Sequence, residues 1–317
     1  MTAIYDVIRS AFAWIFGPLL SIFYELTGSY LLSIVVLTVI IRLLLLPVSI
    51  KQQKNSAKQV RLNTKVNKIK QKYAGNQQKI QEETQALYQR EGFGAQNMGC
   101  APLAIQMIVM IGLYGVIYTP LSTVLRFKAD TVNLIAKIMG SVVDAKNKNM
   151  LEINLLQQFD SYKDKLLAGG ISAEKISELE VLKSKYTIFG LDLSAQPQFK
   201  AVNMLWIIPL LAFATSMLSA VYMFIKQKKQ NPEMGNNPAM GCMAFMSPVM
   251  SLMFTFMFPA GVGFYWIISN ILSFIQQVAL SNLYSPKKVI AQQMVEETVV
   301  RRSKERNAKL RAQNDKK

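Results

Sequence analysis

The chain has 317 residues, 51% of them hydrophobic, with 36 Lys and Arg against 19 Asp and Glu and a formal net charge of +17. A soluble domain rarely combines the two, so apolar runs in lipid with basic charge outside them are expected. There is no histidine, which removes the commonest proton shuttle and metal ligand. The two cysteines, Cys100 and Cys242, build neither a zinc cluster nor a disulfide framework. Covalent catalysis, a metal and a cofactor are therefore not expected.

Residues 1–29 come first. The stretch Ile4–Leu26 is apolar but carries Asp6, Arg9, Glu25 and a Gly17-Pro18 break. It reads as an interfacial amphipathic helix outside the cell, with a signal sequence and an extra span as the other readings. A first span follows over 30–50, long enough to cross about 30 Å of hydrocarbon. Segment 51–99 reads as a basic cytoplasmic helical hairpin. Leu62, Val66, Ile69 and Tyr73 form a narrow seam, Gly75-Asn76 turns the chain, and a second helix with Ile80 and Leu87 stops at Gly92. A second span covers 100–121 and an extracytoplasmic loop 122–201, expected as a small, partly helical cap. Further spans lie at 202–225, 241–258 and 261–280, with a cytoplasmic loop at 226–240 and a basic tail at 281–317. The fold class is thus all-α, a polytopic membrane protein with five transmembrane helices, an N-terminal interfacial helix and a cytoplasmic hairpin.

Orientation follows the basic residues of the short loops. Segment 51–97 carries ten Lys and Arg against three acids, loop 226–239 three against one, and tail 285–317 ten against four. The long loop 122–201 is nearly balanced, with eleven against nine. The N-terminus is therefore expected outside and the C-terminus in the cytoplasm. Both cysteines then sit at cytoplasmic helix ends.

Arg42 is the most informative residue. It lies twelve residues into the first span and eight before its end, yet no Asp or Glu occurs in any of the five spans. A charge near mid-bilayer costs about 2.5–3.5 kcal/mol on insertion scales, so a residue kept there faces a partner or water. With no acid available, Arg42 is expected to face a hydrated cavity open to the cytoplasm. Thr38 shares its face. Gln106, Ser219, Trp266, Asn270 and Gln277 are the other candidates for a polar lining. The serines and threonines of the fourth span read better as interhelical packing. That span also carries Met243, Met246, Met250, Met253 and Met257 at alternating steps of three and four. Such a stripe is more often core or lipid-facing packing, but methionine also suits promiscuous apolar contacts with a substrate.

In order and content these elements resemble the YidC family of membrane-protein insertases and chaperones. The resemblance rests on IIRLLLLPVSIKQQKNSAKQ with Arg42, the basic hairpin, GCAPLAIQMIVMIGLYGVIY with Gln106, and FPAGVGFYWIISNILSFIQQ with Trp266 and Asn270. It implies that Arg42 lines a hydrophilic groove closed to the outside. It implies nascent membrane proteins as substrates, and a multi-pass place in a bacterial plasma membrane, as in five-span Gram-positive-type members. Ribosomes, reached through the tail and hairpin, anionic lipids and a Sec-type translocon are the further partners considered. Two positions depart from the family's usual pattern. Ile108 stands where a proline is common, and Ser216 and Ser219 occupy a region that often holds a glutamine pair. An ion or small-solute transporter is the alternative. It would call for paired mid-membrane charges or inverted repeats.

Overall fold

The computed structural model describes residues 2–92, 101–140, 150–230 and 238–314. Its elements are almost all helical and fall into two compact units.

The first unit comprises residues 1–44, 103–227 and 234–274. Helix α1, Thr2–Thr27, joins α2, Tyr30–Leu44, through Gly28, whose φ of +61° favours glycine. The two pack as a helical hairpin. Phe16, Leu20 and Ser21 of α1 face inward, while Trp14, Ile15, Ile22 and Leu26 lie exposed. The outward side of α1 is thus apolar as well as the packed side.

Helix α5, Ala101–Tyr118, leads into a short α6, Pro120–Thr123, and then into the cap. There α7, Ala129–Met139, α8, Leu151–Ala168, and α9, Ala173–Tyr186, pack in sequence. Each buries an amphipathic stripe, including Ile135 and Met139, Leu156 and Phe159, and Leu179 and Leu182. Glu152, buried at the start of α8, accepts hydrogen bonds from the amide (2.9 Å) and hydroxyl of Ser122. The ring of Tyr186 stacks on Tyr30 at 4.1 Å, and burial pushes the Tyr186 phenol well above its usual value. The loop expected to be partly helical is therefore a layered helical cap. A minimal hairpin of β1, Thr187–Ile188, and β2, Leu191–Asp192, returns the chain to the spans.

Helices α10, Ile207–Gln230, α11, Pro238–Met257, and α12, Ala260–Leu283, follow. Gly263 permits their close approach: a Cβ there would lie 2.5 Å from Ile208 and 3.5 Å from Thr255. Among the described residues two helices are long and apolar enough to cross a membrane, Met204–Gln230 and Ala260–Leu283. A third is counted if Tyr30–Leu44 and Leu46–Lys72 make one span. Ile108–Tyr118 and Phe245–Met257 are the described parts of shorter apolar helices.

The helix expected over 30–50 is divided. α2 ends at Leu44 and α3, Leu46–Lys72, begins with Pro47 in its first turn, where a missing N–H costs nothing. In the helix interior the same proline would clash with the carbonyl four residues earlier, so the chain restarts there.

The second unit comprises residues 45–102, 228–233 and 275–317. α3 and α4, Gln77–Arg90, form the expected hairpin about Gly75, with Leu62, Val66 and Leu87 buried in its seam. Asn76 caps α4 by accepting from the Lys79 amide at 3.0 Å. The tail, expected to begin as a helix and end as a polar basic run, is helical throughout Pro286–Asn314, and this helix, α13, packs along α3. Arg61 grips Glu297 through both carboxylate oxygens, at 2.9 and 3.2 Å.

Candidate functional site

α2 carries Arg42 near its last turn, half-buried. Its Nη2 donates to the carbonyl oxygen of Ser269 on α12 at 3.2 Å and to the Ser269 hydroxyl. Among the described residues no carboxylate pairs with it. The cation is thus held by neutral oxygens that orient it without cancelling its charge. Ser273 donates to the same carbonyl at 2.7 Å, so that oxygen accepts from both side chains.

Thr38 lies one turn before Arg42 but is buried, and its hydroxyl donates to Ile34 O at 2.6 Å within its own helix. Ser219 is half-buried and bonds the Thr215 carbonyl at 3.5 Å, again within its helix. Asn270 reaches across to α10, donating at 3.3 Å to both Ala212 O and Thr215 Oγ1. Ala212 O also accepts from Thr215 at 3.1 Å and from Ser251 of α11 at 3.3 Å. One backbone carbonyl therefore ties three helices, and Asn270 is part of that knot.

Trp266 packs on Phe254 with ring centroids 5.9 Å apart. Phe254 continues to Phe258 at 6.2 Å, and Phe258 meets Tyr114 of α5 edge-on at 4.6 Å. Tyr114 stacks on Tyr118 at 4.3 Å, their hydroxyls 2.9 Å apart. This aromatic chain fills the cap-side ends of α5, α11 and α12.

On α11 the two side-chain classes separate. Ser251 and Thr255 are buried among helices, whereas Met246, Met250, Met253 and Met257 are exposed. Gln277, in the second unit, is half-buried. Cys100 lies outside the described residues, as do the side chains of Gln106, Cys242 and Met243. Sequence reasoning missed Ser269. Its spacing from Trp266 and Ser273, three and four residues, places it on the face already chosen, so helical periodicity held the signal.

A family model described as 60Kd inner membrane protein matches residues 22–288. The chain belongs to the YidC family. Its relatives include membrane protein insertase YidC 2 of Bacillus anthracis, 28% identical over 84% of this chain and 77% of that one. Membrane protein insertase MisCA of Bacillus subtilis is 26% identical over 78% and 69%. Membrane protein insertase YidC 1 of Listeria monocytogenes is 25% identical over 82% and 67%. The matched stretch takes in α2 with Arg42 and α12 with Ser269 and Asn270, so the site lies within the family's shared part.

Proposed function

We propose that this YidC-family chain is a membrane-protein insertase. It moves short polar segments of nascent membrane proteins across the bilayer along a hydrated, positively charged groove and releases their apolar helices into lipid. The observation that carries this reading is the state of Arg42: positioned by Ser269, yet paired with no carboxylate among the described residues. A carboxylate on a translocating tail would find there an oriented, uncompensated cation in a low dielectric. The aromatic chain from Trp266 to Tyr118 supports a groove open only toward the other side. The apolar helix leaves sideways, driven by burial of its own surface. The exposed Met stripe of α11 is the surface proposed to guide it. Five spans, with the N-terminus outside and the tail in the cytoplasm, complete the arrangement. The basic tail and hairpin are the proposed ribosome contacts, with anionic lipids and a Sec-type translocon as further partners.

Reconstitution tests this. Liposomes holding only this protein receive a single-span substrate with an acidic translocated tail, or the same tail with its acids neutralised. Arg42→Ala, which removes an attraction of about 1–2 kcal/mol, is expected to slow the acidic substrate about 5–30-fold and the neutral one far less. Arg42→Lys keeps substantial activity and Arg42→Glu is worst. Acidic-tailed insertion at the wild-type rate in Arg42→Ala, normalised to folded protein, sinks the groove reading.

A further inference from the structure

The β1–β2 hairpin contains a residue that neither packing nor conformational ease explains. Its two-residue turn is Phe189-Gly190, with φ of +51° and +77°. Such turns match the twist of the paired strands but place both central residues in the left-handed region, where Asn, Asp and Gly are usual. Phenylalanine is a poor occupant of that region. The residue is 92% exposed, so nothing among the described residues compensates it.

The feet of the hairpin fix where it stands. Before it, Tyr186 stacks on Tyr30, the first residue of α2. After it, the carbonyls of Leu193 and Ala195 accept from the amides of Gly261 (2.7 Å) and Ala260 (2.8 Å), the first turn of α12. The hairpin therefore sits level with the helix ends, where a bilayer's headgroups lie. The segment that follows runs apolar into α10. Phe199, Val202, Met204 and Ile207 are all exposed, and the same outward side continues through Leu211 and Leu218 of the span. Phe199 is held in place by stacking on Phe256 at 3.8 Å. Lys185 and Lys200, both exposed, flank the hairpin; its one acid, Asp192, accepts from the Ser194 amide at 2.8 Å, and no acid follows in residues 193–206.

We propose that Phe189 is a lipid anchor: the hairpin tip and the Phe199–Ile207 segment seat the cap on the bilayer, with Phe189 among phospholipid headgroups and the two lysines beside their phosphates. Aromatic side chains favour that layer and basic ones complement its charge. A ring left exposed by the described residues, in a backbone state it does not favour, is kept by contacts outside the protein. The occupant is lipid because the exposed apolar row is continuous with the lipid-facing side of α10. The inference rests on reading α2, α10 and α12 as membrane spans.

The test uses full-length protein with both cysteines changed to serine, in vesicles of phosphatidylethanolamine and phosphatidylglycerol. An environment-sensitive fluorophore is attached at Phe189→Cys, at Val181→Cys on the exposed side of α9, or at Leu211→Cys on α10. At position 189 the emission is expected to be blue-shifted. A shallow lipid nitroxide should quench it several-fold more strongly than at position 181, while aqueous iodide barely reaches it. Position 211 should respond to a deep nitroxide instead. As a check that keeps a ring in the turn, Phe189→Trp is read by brominated lipid with Trp14, Trp206 and Trp266 changed to Phe. Water-like behaviour at 189 in both formats, with 211 deep in lipid, overturns the anchor and leaves the spans standing. Water-like behaviour at 189 and 211 together overturns the spans. A blue shift at 189 that appears only when an inserting substrate is added assigns the tip to polypeptide and also overturns the anchor.

Discussion

Ser269 gives Arg42 two oxygens from one residue, and only one of them can be removed by mutation. Ser269→Ala leaves the carbonyl contact, so it is expected to cost about 0.5–1.5 kcal/mol of stability and to slow insertion much less than Arg42→Ala. Thermal unfolding in detergent alongside insertion kinetics measures both. Asn270 bonds across to α10, which makes it a packing residue first. Asn270→Leu is expected to lower stability by about 0.6–1.7 kcal/mol while insertion per folded molecule stays near wild type. Loss of insertion without loss of stability would instead move Asn270 into the groove lining. Arg42 was legible in the sequence because a lone charge in an apolar run is costly to keep. Ser269 was not singled out because a serine in such a helix ordinarily signals packing, and its partner lies 227 residues away.

Among the elements, α13 and its clasp to α3 carry the sharpest expectations. The hydrogen bond and charge of Arg61 hold the Glu297 carboxyl below the usual carboxylate range. A depressed carboxyl contributes stability that is present above its unfolded value, about 4.3, and is lost as pH falls through the lower folded value. The pair is solvent-exposed, so its worth is about 0.2–1 kcal/mol, falling with salt. Glu297→Gln at neutral pH should therefore open α13 to protease about as much as acid does in the wild type, and acid should add little to the variant. Helix boundaries show how far local pattern reaches. Hairpin, turn and stop were readable because Gly75 and Gly92 punctuate an apolar seam. The helix of the tail was readable only in part. After Val300 there is no apolar period, and what remains are the helix-favouring Arg, Lys, Ala and Gln. The division at Pro47 was overlooked because the apolar run continues across it. Gly263 marks an element-to-element contact that sequence alone does not announce. Gly263→Leu should overpack Ile208 and destabilise by about 1–3 kcal/mol, seen as a lower unfolding temperature in detergent.

For the whole molecule, the proposed orientation makes the cap extracytoplasmic and the hairpin and tail cytoplasmic. A cysteine at Ser161, exposed on α8, should react with an impermeant thiol reagent from outside intact cells, and Cys100 and Cys242 only after rupture. The reverse pattern would invert the topology. Removing residues 303–317 deletes six basic residues but spares Val289, which α13 buries, and the Arg61–Glu297 clasp. It should weaken ribosome association and flatten its salt dependence while a released substrate still inserts. Unchanged binding across a salt titration would clear the distal tail of that role.

The stacked pair of Tyr30 and Tyr186 also sets a clock for the protein's own biogenesis. The two rings lie nearly half the chain apart in sequence, and in the proposed orientation they meet only once the cap has crossed to the outside. At roughly 5–20 residues per second, about 8–30 s of synthesis separate them. For that interval the top of α2 lacks its lid. An insertase of this build must itself be handed across the bilayer, in stages, before it can hand anything else across.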